Sequence, residues 1–417
     1  MRFIAVLASL VILQQLGCGG GSTGGNNNFD AYQNAKQGGA NSQAASHIPL
    51  IPKVRDNCTG NKLALYSWGY EVWNGAQSPI VNFLLNPRVT EFSCGEIYIN
   101  VADYTATNYI RDESALIPFI RNVRATGNHE TVFLVYGDVQ VSSNGAPEGP
   151  TDFAQAFFNW IRRVSDEDLK AMVPLGISYD CEHLSSATIV NALTLARKLK
   201  TDLVKTRLGN DDKLITIEWT IEGQKKPKDT DIVMKLADRA LMMAYRNHIG
   251  KSVRDPGGDD TIMTRLMDFM FTEQCSRCLD DAYATANYRA TIKIMLEGDC
   301  MCGNSCHKIS FCAFDAVEDD WGRKDLNGVV AYSNGAQYLE ATLREADRQL
   351  HATLTPAQYK RLFGSTRDLS LFAIHNWNWF TCFFNDPTVD ITTPIGGKQQ
   401  TCAKHYHSHA RSCRNSK

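Results

Sequence analysis

Two carboxylates, Asp180 and Glu182, stand two residues apart at the end of the apolar run LGISYDCE. Side chains alternate along a strand, so Ser178, Asp180 and Glu182 are expected on one face, with Tyr179 and Cys181 on the other. Carboxylates about 7 Å apart on one face disfavour joint ionisation, which raises the pKa of one of them. A raised pKa is what a general acid needs. The pair is a candidate catalytic site; the alternative is that Asp180 caps the following helix and Glu182 pairs with a surface cation.

Eight apolar runs of strand length alternate with amphipathic segments along the chain. The strand candidates are residues 63–70, 96–101, 131–136, 175–182, 214–219, 241–245, 291–297 and 369–376. The clearest helical patterns lie at 115–124, 153–164, 187–204 and 338–350. Buried strands separated by helices, without hairpin turn signals, indicate a parallel sheet, and eight of them predict a (β/α)8 TIM barrel. A doubly wound open sheet is the alternative.

The eighth strand has two candidates. Residues 369–376 follow directly on a helical pattern at 356–363, whereas residues 328–333 are also apolar and also precede a helix. We prefer 369–376. The segment 299–335 then becomes a Cys-rich insertion after strand 7.

Aromatic residues mark the ends of several predicted strands, where a barrel carries its active site. They include Trp68 on the first strand, Trp219 on the fifth, Tyr245 on the sixth and Trp377 on the eighth. Aromatic faces beside carboxylates commonly hold the apolar face of a sugar ring. A single Trp is more often a core residue, but the grouping of Trp68, Trp219 and Trp377 at strand ends predicts a carbohydrate substrate.

At this point the chain resembles the chitinase-type glycoside hydrolases of family eighteen. Their fourth strand ends in Asp-Gly-x-Asp-x-Asp-x-Glu, and this chain keeps the Gly at 176, the last Asp at 180 and the Glu at 182. Their sixth strand carries Met-x-Tyr-Asp, of which Met243 and Tyr245 remain, followed by Arg246. Their eighth strand ends in a Trp, matched by Trp377.

The resemblance implies roles for three residues. Glu182 would protonate the leaving oxygen, Asp180 would orient the substrate's own 2-acetamido group as it attacks the anomeric carbon, and Tyr245 would bond to the carbonyl of that group. Leu175 and Ser178 replace two carboxylates of the family motif. A lectin-like barrel that binds sugar without turnover therefore stays open as an alternative.

A second enzymatic interpretation uses Glu297 at the end of strand 7. With Glu182 as acid/base, Glu297 would be the covalent nucleophile of a retaining glycosidase, about 5 Å away. Enzymes of that clan carry Asn immediately before the strand-four Glu, where this chain has Cys181. Glu218, Glu222 and Asp138 are further strand-end carboxylates that could serve either site, although each is more often a solvated charge.

Charge and composition limit the partners. With 43 basic and 45 acidic residues the net charge is −2, which provides no basic field for nucleic acid or an anionic membrane. Residues 1–18 are arranged like a secretory signal peptide, and their apolar run at 3–13 is too short to span a bilayer as an anchor. A bacterial lipoprotein signal is the alternative, but it needs an apolar residue where Gln15 stands. We predict a secreted, extracellular protein with no membrane span; the sequence indicates no oligomeric state.

The remaining segments complete the predicted organisation. Residues 19–47 are rich in Gly, Ser, Asn and Gln and predict a flexible leader. The barrel, with its insertion, is expected at 48–385, and a Cys- and His-containing tail at 386–417. Neither a cofactor nor a metal is needed for the chemistry described.

Cysteine usage agrees with secretion. Apart from Cys18, the chain has twelve cysteines, an even number behind a signal peptide that indicates disulfides of unknown connectivity. The motif Cys275-x-x-Cys278, with further Cys and His at 300–307, has spacing that could also suit zinc, but a secreted protein favours disulfides. The alternating His405, His407 and His409 could hold a metal if extended; a mobile basic tail is the simpler interpretation.

Overall fold

The computed structural model describes most of the barrel and parts of its surroundings. The described residues are 53, 63–67, 78–85, 95–102, 109–110, 113–138, 149–181, 184–221, 227–244, 266, 269–270, 275, 277–297, 332–364, 369–375, 390–395 and 398–401. For residues 79, 138, 297, 332–342 and 390–401 only the backbone is described. The predicted signal peptide and leader, residues 299–331 of the predicted Cys-rich insertion and most of the predicted tail lie outside these ranges.

Eight parallel strands close into a barrel in which each strand pairs with the next in sequence and the last pairs with the first. The strands are β1 (Ala64–Ser67), β2 (Ile97–Ala102), β3 (Val132–Asp138), β4 (Leu175–Cys181), β5 (Ile215–Ile221), β6 (Arg239–Met243), β7 (Thr291–Glu297) and β8 (Phe372–His375). Every predicted run overlaps one strand, so the (β/α)8 prediction is confirmed and the open sheet is wrong.

Helices separate the strands. They are α1 (Pro79–Leu85), α2 (Glu113–Ala125), α3 (Gly149–Arg163), α4 (Asp166–Met172), α5 (Ser186–Arg207), α6 (Pro227–Leu236), α7 (Asp281–Asn287), α8 (Tyr332–Thr353) and α9 (Pro356–Phe363). In the part of the chain that the structure describes, no helix combines the length and apolar character needed to cross a membrane.

The eighth strand lies where the sequence placed it. Strand β8 pairs with β7 and with β1, joining Ala64 to Ala373 in register. The competing run ends inside helix α8, which begins at Tyr332. Beyond the barrel, Asp390–Ile395 (β9) and Lys398–Thr401 (β10) pair as a two-stranded antiparallel sheet.

The core has two layers because side chains alternate along each strand. The outer layer packs the strands against the helices and contains residues such as Leu134, Phe157, Leu193 and Ile217, all 0% exposed. The inner layer fills the barrel. Its apolar members are Ala64, Tyr66, Tyr98, Phe133, Val135, Leu241, Met295 and Ala373. The interior is therefore packed rather than hollow, and polar residues placed inside it need partners.

Candidate active site

Strand β4 presents its polar residues to the barrel interior. Ile177, Tyr179 and Cys181 lie in the outer layer against the helices. Ser178 and Asp180, which are 0% and 3% exposed, bond with residues of other strands inside the barrel. The alternation predicted from the sequence is therefore confirmed for the described part of this strand.

Asp180 is held by a tyrosine from the first strand. The Tyr66 hydroxyl donates a hydrogen bond of 2.9 Å to Oδ2 of Asp180, and both groups are buried. The helix that follows β4 is capped instead by Ser185, whose side chain accepts from the Thr188 N–H. The alternative role of Asp180 as a helix cap is therefore wrong.

Aromatic neighbours hold the Tyr66 ring in place. The Tyr66 ring stacks on Tyr98 with centroids 5.2 Å apart, and Tyr98 stacks on Phe133 at 4.6 Å. Tyr66 also contacts His375 of β8, with ring centroids 5.3 Å apart. Since aromatic pairs at such distances stabilise each other beyond their buried area, Tyr66 has little freedom to turn away from Asp180.

A buried carboxylate from strand β5 lies beside Ser178. Ser178 and Glu218 are paired in register, and the Ser178 hydroxyl donates to Oε1 of Glu218 at 2.7 Å. Oε2 accepts from the Tyr98 hydroxyl at 2.9 Å and from Nε of Arg239 at 2.5 Å. Glu218 is 0% exposed, so its interpretation as a solvated charge is wrong. Strand β5 thus brings a carboxylate to the position where strand β4 carries only a hydroxyl.

Glu218 belongs to an inner charge cluster, which we define as Glu96, Glu218, Arg239 and Lys293. Arg239 donates to Oε1 of Glu96 at 2.7 Å and to the Tyr98 hydroxyl at 2.7 Å, and Lys293 donates to Glu96. Two cations thus face two carboxylates. Such balance is required because an unpaired buried charge costs several kcal/mol.

Burial and the charges within the cluster shift the pKa values of Glu96, Lys293 and Tyr98. Burial raises the pKa of Glu96, but the positive charges and hydrogen bonds of Arg239 and Lys293 outweigh burial and bring the pKa down to about 2. Burial lowers the pKa of Lys293, against the opposing pull of Glu96. Burial also raises the pKa of Tyr98 well above its ordinary value, so that hydroxyl keeps its proton. Glu96 is therefore ionised at neutral pH.

Two glycines leave room for these side chains. A Cβ on Gly176 would lie 2.4 Å from Cε1 of Phe133, so the glycine retained from the strand-four motif makes space for the lowest ring of the stack. A Cβ on Gly137 would lie 2.4 Å from the carbonyl oxygen of Asp180 and 2.8 Å from its Cβ. The backbone of β3 can therefore approach Asp180 only where residue 137 has no side chain.

Other residues at the carboxyl ends of the strands complete the described part of the site. Thr220 of β5 is 2% exposed. Met243 of β6 and His375 of β8 are half-buried. The separate cavity of about 280 Å³ lies at the opposite, amino-terminal mouth of the barrel, among residues that include Glu96, Arg239 and Lys293. It does not include Asp180 or Thr220.

One of the three tryptophans predicted to bind the sugar is a core residue. Trp219 is 0% exposed in the outer layer, and its ring stacks on Tyr179 with centroids 4.8 Å apart. It follows Glu218, which faces inward, so alternation turns Trp219 towards the helices. The prediction that Trp219 binds substrate is therefore wrong.

Several predicted site residues lie outside the described ranges. These are Trp68, Glu182, Glu222, Tyr245 and Trp377. For Asp138 and Glu297 only the strand backbone is described, with Glu297 in register with His375.

Sequence reasoning missed Tyr66, Tyr98, Thr220 and His375, and it gave Glu218 the wrong environment. A signal for Tyr66 was present, because it shares strand parity with Trp68 in the first apolar run. The partnership of Tyr98 with Glu218 had no such signal, because it depends on strands meeting across the barrel.

The described cysteines divide between a disulfide and a thiol. Cys275 and Cys278 form a disulfide with a Cα–Cα distance of 5.3 Å, which confirms the preferred interpretation of this motif over zinc. Cys181 is a buried thiol in the outer layer that donates to the Tyr136 carbonyl, so the expectation of disulfides does not hold for it.

Comparison with known proteins gives matches only among solved structures. No family model matches the chain, and no curated protein matches it. A family GH18 chitinase from Cycas revoluta in complex with allosamidin is 13% identical with a TM-score of 0.41, covering 77% of this chain and 97% of that chain. A chitinase from Chromobacterium violaceum is 12% identical with a TM-score of 0.33, covering 57% and 68%. The spore cortex-lytic enzyme SleL of Bacillus megaterium is 15% identical with a TM-score of 0.31, covering 64% and 60%. The barrel assignment rests on the strand pairing within this chain itself.

Proposed function

We propose that the protein is a glycoside hydrolase that acts on oligo- or polysaccharides containing N-acetylglucosamine. One observation carries the proposal: Asp180, buried at the carboxyl end of β4, is held by the Tyr66 hydroxyl at 2.9 Å. Glu182 occupies the next position of the same parity in the sequence. Hydrolysis of a glycosidic bond generally uses a pair of acidic residues, and a fixed carboxylate with a second acidic residue beside it provides such a pair.

The proposed roles follow from this arrangement. Glu182 is the general acid that protonates the leaving oxygen. Asp180 orients the 2-acetamido group of the substrate for attack on the anomeric carbon, and Tyr245 bonds to the carbonyl of that group. Tyr66 is the positioning residue that fixes Asp180, which matters because a small misplacement of a reacting group costs much of the rate. Trp68 and Trp377 remain the tryptophans proposed to stack on the sugar rings.

The proposed hydrolase is tested by measuring turnover and binding on N-acetylglucosamine oligomers and on plain glucosides. Glu182→Gln should abolish turnover and leave binding nearly intact, because binding does not need the proton on Glu182. Glu167→Gln, an exposed change on helix α4, is the matched control and should keep full activity. A wild type that binds oligosaccharide and cleaves none of the panel would establish the lectin alternative instead.

The retaining-glycosidase alternative uses Glu297, whose backbone ends strand β7. Under that mechanism Glu297→Ala stops turnover, small anions such as azide restore it, and plain glucosides are good substrates. Under the proposed mechanism Asp180→Ala causes the larger loss and plain glucosides are poor substrates. The two sets of outcomes exclude each other.

Secretion is part of the proposal and rests on the arrangement of residues 1–18. Mass spectrometry of the mature protein from its native host should show an amino terminus after this segment. An intact Met1 in the exported protein would contradict it.

A further inference from the structure

Thr220 carries a buried hydroxyl that has no hydrogen-bond partner in the described part of the chain. It is 2% exposed, and its Oγ1 makes no hydrogen bond with any residue that the structure describes. Glu218 faces the barrel interior, whereas Trp219 and Ile221 lie in the outer layer, so alternation places Thr220 on the inner face. Its neighbours on this face of β4 and β5 have partners, since Ser178 bonds to Glu218 and Asp180 accepts from Tyr66.

Strand register places Thr220 beside Asp180. Tyr179 is paired with Trp219, so Asp180 and Thr220 are the next residues along adjacent strands, at a strand spacing of about 4.8 Å. Both lie towards the carboxyl end of the barrel, one layer beyond Ser178 and Glu218. The hydroxyl therefore belongs to the same part of the site as the proposed catalytic carboxylate.

The unpartnered hydroxyl is costly for the fold alone. A buried polar group without a hydrogen bond costs about 1–3 kcal/mol, whereas valine would fill nearly the same volume without that penalty. A threonine in a helix can donate to the main-chain carbonyl one turn earlier. A strand offers Thr220 no such local acceptor. A bound molecule that supplies the missing hydrogen bond would account for its presence.

We propose that the Thr220 hydroxyl binds the acetamido group of the sugar that lies against Asp180 and thereby selects N-acetylated substrates. The inference rests on the proposed function and adds a specificity residue to it. An acetamido group carries both a carbonyl acceptor and an N–H donor, and a hydroxyl can bond to either. The single hydroxyl of a plain glucoside at the same ring position is shorter and lacks the second polar atom.

The test compares Thr220→Val with Thr230→Val. Thr230, on helix α6, is 0% exposed and its hydroxyl also has no partner, so it is matched in burial and chemistry. Each change removes an unsatisfied hydroxyl, and each should raise the melting temperature of the ligand-free protein by about 2 °C. Only Thr220→Val should weaken binding of the N-acetylglucosamine trimer, by about five-fold, with Thr220→Ser restoring it.

Binding is measured by calorimetry in a Glu182→Gln background, which prevents cleavage, with the glucose trimer as second ligand. Unchanged affinity of Thr220→Val for the N-acetylated trimer, or an equal loss for both trimers, overturns the role of Thr220 while leaving the proposed function standing. If the Glu182→Gln protein, which keeps Thr220, binds neither trimer, the proposed function is wrong and the contact of Thr220 with the sugar is wrong as well. Should Thr220→Val fail to fold, Thr220→Ala removes the same hydroxyl and gives the same readout.

Discussion

Glu96→Gln tests whether the inner charge cluster stabilises the barrel through ionised groups. The change keeps the shape of the side chain and removes the charge that faces Arg239 and Lys293. The pKa of Glu96 is about 2 against an ordinary 4.5, so the fold favours its ionised form. At about 1.36 kcal/mol per unit, this difference corresponds to about 3 kcal/mol. The variant should be less stable than wild type by about that amount at pH 7, within the range for a broken buried pair.

The sign of the pH dependence follows from the direction of the shift. The pKa is lower in the folded than in the unfolded protein, so the contribution of Glu96 is complete above about pH 4.5 and is lost as the pH falls through about 2. The gap in unfolding free energy between wild type and Glu96→Gln should therefore close from about 3 kcal/mol towards zero across this interval. All other carboxylates are common to both proteins and cancel in the difference.

The assay is urea unfolding followed by tryptophan fluorescence at several pH values between 7 and 2. Tyr98→Phe is the control, because it removes the hydrogen bonds that this hydroxyl makes with Glu96, Glu218 and Arg239 but no group that titrates in this range. The difference in unfolding free energy between this variant and wild type should be about 1–3 kcal/mol and constant with pH. A gap for Glu96→Gln that is equally constant from pH 7 to 2 would refute the reasoning.

Three further substitutions test the geometry of the barrel. Gly137→Ala places a Cβ 2.4 Å from the carbonyl oxygen of Asp180, so it should lower turnover at least ten-fold with only a moderate fall in melting temperature. Gly176→Ala drives a Cβ into the Phe133 ring and should destabilise by about 1–3 kcal/mol in urea unfolding. Arg124, 8% exposed, donates five hydrogen bonds to main-chain carbonyls, so Arg124→Met should cost about 3 kcal/mol and leave substrate affinity unchanged. Unaltered melting curves for the last two variants, or full turnover for the first, would contradict these assignments.

The positions of the strands could be predicted because hydrophobic runs and strand alternation are local properties. The same alternation correctly placed Ser178 and Asp180 inside the barrel and Tyr179 outside it. Applied to strand β5, it would have turned Trp219 towards the helices once Glu218 was known to face inward. The direction of Glu218 was not evident, because a buried carboxylate is tolerable only when partners from other strands surround it.

Contacts across the barrel could not be predicted. Tyr66 reaches Asp180 and Tyr98 reaches Glu218 over separations of 114 and 120 residues. Such pairs are set by strand register and by closure of the barrel, about which a local sequence pattern carries no information. The shared position of Asp180 and Thr220 likewise follows from the pairing of β4 with β5, and an unpaired threonine looks the same in sequence as a paired one.

The pairing of β1 with β8 has a consequence for how the chain folds. Ala64 pairs with Ala373, so the barrel cannot close until the chain has been synthesised past residue 373. Loop closure over such a separation is entropically costly and slow, and until it occurs the outer edges of β1 and β8 keep unpaired main-chain groups. Exposed strand edges recruit other strands, so the half-made protein is expected to be more prone to aggregation than the finished one. A chain truncated before residue 372 would keep that open edge permanently.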